Sequence, residues 1–242
     1  MKIERAKEHI RNLDATIQAF LSDKPYRIGA KPHSIPSLEH TTLYVAEVKP
    51  VPDNISLILG DAIHNLRSAL DHLAWQLVEL GGGKPDKNTY FPICERPHQY
   101  ASMMGNREIQ KIPKDARDIL EAIQPYNTMD MTLWLLHQLD ISDKHRLLLT
   151  VVTSMDKWGV DFALGQTLWF NEHRFLPLVV GYEIINIPTS TYHRQPHHNF
   201  QLGVDIAFGE SEIPEGELVI YTLKKMVDFV EGFVSKFDRF LI

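Results

Sequence analysis

A single cysteine, Cys94, stands in 242 residues. An intramolecular disulfide is therefore excluded, and the chain suits a reducing compartment. No apolar run is long enough for a membrane span, and Met1-Lys2-Ile3-Glu4-Arg5 leads straight into a charged helical pattern rather than a secretory leader. The expectation is a cytoplasmic protein with no membrane association. Positive charge is also short: 25 Lys and Arg oppose 31 Asp and Glu, a net charge of −6. Any contact with nucleic acid must then come from a local basic patch. There is no Gly-x-Ser-x-Gly turn and no zinc-finger spacing. Gly81-Gly82-Gly83 closes a helix instead of opening one after a strand, and it is not followed by the Lys-Ser/Thr pair of a phosphate loop, so it reads as a helix stop.

What the chain does have is helical periodicity. Ile3, Ala6, Ile10, Leu13, Ile17 and Phe20 form one stripe at steps of three and four, closed by Pro25. Leu59, Ile63, Leu66, Leu70, Leu73 and Leu77 form a second, with Asp53 as the expected N-cap. Val219, Leu223, Met226, Val230, Phe233, Phe237 and Phe240 form a third. Helices are also expected over about Lys114–Ile123 and Met129–Asp143, with residues 84–112 irregular apart from one short helix. Residues 26–50 read as a hairpin, Tyr26–Lys31 and Thr41–Val48. Leu147–Thr153, Leu164–Phe170, Leu176–Ile185 and Phe200–Phe208 are rich in β-branched and aromatic residues and read as antiparallel strands.

Long apolar stripes of helical period bury themselves against one another. The expected fold class is therefore α+β, with residues 1–242 as a single domain. Its antiparallel helical bundle comes from 1–22, 53–80, 113–145 and 215–242, with a β hairpin at 26–50 and an inserted antiparallel β-sheet lobe at 146–210.

The second helix carries the most chemistry. His64, Arg67, Asp71 and His72 lie on its polar half, and the first three fall within roughly a 60° arc. Arg67 and His72 are about 140° apart, toward opposite edges of that half. Charged helix faces usually just meet water. Trp75 in the middle of this face argues instead for a covered surface, either by the β lobe or by another copy of the chain.

Arg67-Ser68-Ala69-Leu70-Asp71-His72 resembles the motif of the HEPN superfamily, in which an Arg is followed after four to six residues by a His. A second match, Arg27 to His33, falls in the expected hairpin and lacks the helical setting. The family consists of helical bundles that often dimerise. Many members are metal-independent ribonucleases of toxin, antiphage and RNA-processing systems, and others are non-catalytic. Where the family often has Asn or Asp after the Arg, this chain has Ser68. The chain is also similar to uncharacterised bacterial proteins carrying such a helix and an Asp-Lys-His-Arg element.

The resemblance implies that His72 moves a proton and that Arg67 steadies charge on a phosphorane. It further implies that Asp71 orients one of them and that His64 is a second acid or base. Asp143-Lys144-His145-Arg146 closes a helix, where cations also serve as caps. Lys144, His145 and Arg146 are the expected RNA-phosphate contacts, and RNA and a second copy of the chain are the expected partners.

A metal reading is weaker. Asp61-x-x-His64 has bundle spacing, with Asp71, His72, His137 or Asp140 as further ligands, but no second such pair follows. No metal and no cofactor are expected. His193, His197 and His198 flank Pro196 and read as a surface loop, and Cys94 reads as a small buried apolar residue. The alternative function is a non-catalytic bundle that dimerises or docks a protein on the face around Trp75, which the acidic net charge favours. A third is a metal-dependent bundle enzyme.

Overall fold

The computed structural model describes residues 1–126, 131–145, 148–161, 167–190, 200–209, 213 and 216–241, with the side chains of 160, 161, 167 and 172–175 left aside. The fold is mixed α+β with antiparallel sheets. No described helix is long and apolar enough to cross a membrane. The chain divides into two compact units, each built from separate stretches of sequence.

The first unit holds Met1–Leu13, Ser56–Leu149 and Ile220–Ile242. Its described helices belong to α1 (Lys2–Ser22), α2 (Asp53–Leu80), α3 (Pro97–Met104), α4 (Lys114–Ile123), α5 (Thr132–His145) and α6 (Val219–Val234). The α2 stripe is the spine of the core: Leu59, Ile63, Leu66, Leu70, Leu73 and Leu77 are all buried. Each such side chain removed from water stabilises by about 1.5–3 kcal/mol before the entropy of ordering it. Leu223, Met226, Val230 and Phe233 bury the facing side of α6, and a 3-10 turn over Ser235–Phe240 carries Phe237 inward on the same face. Lys7 on α1 pairs with Glu231 on α6 at 2.6 Å.

α2 begins one residue earlier than its capping signal suggests. Asp53 is its first helical residue rather than its N-cap, and its carboxylate still meets the positive end of the helix. At the other end Gly82 takes φ +74°, and the Gly83 N–H returns to the Val78 carbonyl at 2.9 Å. That is the glycine-terminated stop expected of the Gly81-Gly82-Gly83 run. α5 starts at Thr132, and its expected first residue, Met129, lies outside the described residues.

The second unit holds Asp14–Ile55 and Thr150–Val219. β1 (Tyr26–Pro32) and β2 (His40–Val48) form the expected hairpin. β2 then pairs on its other side with β5 (Glu183–Pro188), giving the order β1-β2-β5. The hairpin thus shares a sheet with a later strand. Pairing is decided by edge hydrogen bonds that periodicity does not encode. β4 (Thr167–Pro177), β3 (Val151–Asp161) and β6 (Phe200–Phe208) form the other sheet in that order. β3 overlaps the end of the expected Leu147–Thr153 strand and runs on past it, with a bulge in its ladder between Met155 and Lys157; Leu147 lies outside the described residues. Val45, Met155, Leu178 and Leu202 are buried together, and the Tyr26 hydroxyl accepts the Leu202 N–H at 2.9 Å.

Candidate functional site

Arg67 points inward. It is 4% exposed, and its Nη1 donates to Asp71 Oδ1 at 2.6 Å. Its Nη2 donates to the Phe91 carbonyl at 3.0 Å, while the Phe91 N–H donates to the same Asp71 oxygen at 2.9 Å. Arg67 and Asp71 together satisfy both backbone groups of Phe91, whose ring is fully buried and meets Phe233 edge-on at 5.4 Å. Buried peptide groups need partners, and this segment draws them from α2 side chains rather than from a strand.

The expected catalytic pairing of Arg67 with His72 is therefore corrected by the geometry. Both strong contacts of the guanidinium are internal, and Asp71 is held with it. His72 is exposed on another side of α2 and lines a groove of about 1070 Å³ with Lys2, Arg5 and His9 of α1 and Asn65 and Gln76 of α2. Arg67 does not line that groove. Cations and anions mix along its walls, since Glu4, Glu8 and Asp61 also face it. Trp75, expected to be covered, stands 40% exposed.

Elsewhere α2 and α5 bring together groups that the sequence had put in different roles. Asp140, 2% exposed, is hydrogen-bonded by two helices. His64 Nδ1 of α2 meets Asp140 Oδ1 at 3.2 Å, and Lys144 Nζ, one turn along α5, donates to Oδ2. His64 and Lys144 are each half exposed at the side chain, and both are held by one buried anchor. An ionised carboxylate only accepts, so in the neutral form of the ring the proton sits on Nδ1 and Nε2 is the acceptor. Ser68 Oγ lies 3.4 Å from that Nε2.

Close helix approach makes the cluster possible. A Cβ on Gly60 would stand 2.2 Å from Asp143 Oδ1. Burial, reinforced by Asp140, raises the Asp143 carboxyl above its ordinary range. His137, on the same helix, has a buried Nδ1 with no hydrogen-bond partner, and burial together with the Arg67 charge lowers its pKa to about 4.

His145 ends α5 exposed. Arg146 lies outside the described residues, as do His193, His197 and His198. Cys94 is buried, as expected. Among the described residues no three His, Cys, Asp or Glu side chains are arranged to hold a metal ion. Sequence reasoning named Asp140 only as a ligand candidate. The available signals were its Asp-x-x-x-Lys spacing to Lys144 and its place among Leu133, Leu136 and Leu139 on the buried face of α5.

No family model, no curated protein and no solved structure matches the chain.

Proposed function

We propose that the protein is a HEPN-like helical protein of the cytoplasm that acts on RNA, as a metal-independent ribonuclease of defence or toxin type. In this reading His64 takes the proton-transfer role and Lys144 the phosphate contact. One observation carries it: the buried Asp140 fixes an imidazole and an ammonium side by side at an open surface.

The chemistry follows from those atoms. Asp140 holds Nδ1–H, so Nε2 can take the proton of a ribose 2′-hydroxyl. The 2′-oxygen attacks the adjacent phosphorus and the bond to the 5′-oxygen breaks. That oxygen leaves as the hydroxyl by taking the proton back from the His64 imidazolium, and a 2′,3′-cyclic phosphate is left. Lys144 opposes the charge that gathers on the non-bridging oxygens. No metal enters any step. Incubating purified protein with RNA and chelator tests the reading. Cyclic-phosphate ends should form, and should be lost in His64→Ala and Lys144→Ala. Cleavage equal to wild type in both variants would remove the site.

A second reading is a non-catalytic module that dimerises or docks a protein through the outer face of α2. The exposure of Leu57 (57%), Trp75 (40%) and Leu80 (49%) along that helix favours it, as does the net charge of −6. Light scattering of wild type and Trp75→Ala separates the two. A dimer that the substitution dissociates, with no RNA cleavage by either protein, supports the module.

A further inference from the structure

Ser68 lies one turn beyond His64 on α2, with its hydroxyl 3.4 Å from His64 Nε2. The other ring nitrogen faces the buried Asp140 at 3.2 Å. In the neutral ring with its proton on Nδ1 toward Asp140, the Ser68 hydroxyl is the donor in its own contact and Nε2 the acceptor. Hydroxyl, imidazole and carboxylate therefore stand in series, with the carboxylate buried. This is the order in which a base activates an alcohol and an acid orients the base.

We propose that Ser68, His64 and Asp140 form a nucleophile relay that accepts an acyl group from activated carboxylic esters. This goes beyond the RNA reading and requires no nucleic acid. In the step, Ser68 Oγ forms a bond to the carbonyl carbon while its proton passes to His64 Nε2. The tetrahedral intermediate then expels the alcohol, which takes that proton from the imidazolium. Asp140 stays ionised and holds the ring. Water activated by the same Nε2 releases the acid and regenerates the hydroxyl.

The setting also fixes the speed. Ser68 sits inside α2, where backbone amides donate along the helix and are not offered to a substrate oxyanion. The loss of one such donor slows acyl transfer by about 10²–10³-fold. The relay is therefore expected to show as covalent capture of Ser68 with slow turnover. A nucleophile–base contact of this length is usual before a substrate tightens it.

The test uses the full chain and diisopropyl fluorophosphate. Ser68 Oγ bonds to phosphorus, fluoride leaves, and the serine proton passes through His64 to solvent. One adduct should map to Ser68. It should disappear in Ser68→Ala and form at least tenfold more slowly in His64→Gln. A Ser68→Cys variant gives a second measurement: its alkylation by iodoacetamide should persist to lower pH than in the Ser68→Cys/His64→Gln double variant. No adduct at Ser68, or labelling and alkylation that ignore His64, overturns the relay. RNA cleavage plays no part in the readout, so its presence or absence leaves this result standing.

Discussion

Arg67 donates to the carbonyl of Phe91, 24 residues further along the chain, at 3.0 Å and from a position only 4% exposed. The bond makes the motif helix a partner for a segment that has no strand to pair with. Removing the guanidinium leaves the Phe91 carbonyl unsatisfied and Asp71 without its counter-charge. Arg67→Ala should therefore destabilise by about 2–4 kcal/mol. Denaturant unfolding measures it. Arg67→Ala within about half a kcal/mol of wild type would mean that the clamp is not structural.

Part of this was legible in the chain. The α2 stripe placed the core, and the wheel already separated Arg67 from His72 by about 140°. What misled was the assignment of Arg67 to the solvent half. It lies about 40° from Ile63 on the wheel and one turn from Leu70, at the edge of the buried stripe, where a long side chain can turn either way. The choice fell inward because Phe91 needed partners, a fact of tertiary packing. The pairing of β5 with β2 was likewise hidden, since strand order depends on edges far apart in sequence, such as His40 and Pro188, meeting in space. Asp140 shows the limit from the other side. A buried acid in a helix of leucines could be seen, but not that His64 would meet it.

Gly60 and Asp143 should prove coupled. An added methyl at Gly60 meets the carboxylate oxygen at 2.2 Å, and the short Asp143 side chain must swing aside. Gly60→Ala should cost about 1 kcal/mol through this displacement, net of the helix propensity that alanine adds. In the background of Asp143→Ala the same change should become neutral or stabilising. A double-mutant cycle by thermal or urea unfolding reads the coupling. Additive effects would show that the two residues do not press on one another.

The division of labour between His64 and His72 is equally open to measurement. If the proton-transfer group is the one anchored on Asp140, His64→Ala should lower RNA cleavage by about 10²-fold or more. His72→Ala, which alters a groove wall elsewhere on α2, should stay within about threefold of wild type. Initial rates with a fluorogenic oligonucleotide suffice. The reverse ranking would return the chemistry to His72 and leave the His64 cluster a structural feature.

His137 predicts a pH effect whose sign follows from its surroundings. Burial first, and the Arg67 charge second, lower its pKa from an ordinary 6.5 to about 4. The folded state therefore holds the neutral ring, and the unfolded chain binds a proton more readily. Stability from this group is present in full above pH 6.5 and is lost as the pH falls from there to about 4. The gap corresponds to about 3 kcal/mol for a fully enclosed ring, and the solvent that still reaches His137 reduces it to about 1–2 kcal/mol. Across this range the unfolding free energy of wild type should fall relative to that of His137→Leu as the pH drops, because leucine has no proton to gain. Parallel curves for the two proteins would mean that some other group, and not the unpartnered Nδ1 of His137, sets the acid sensitivity of this unit.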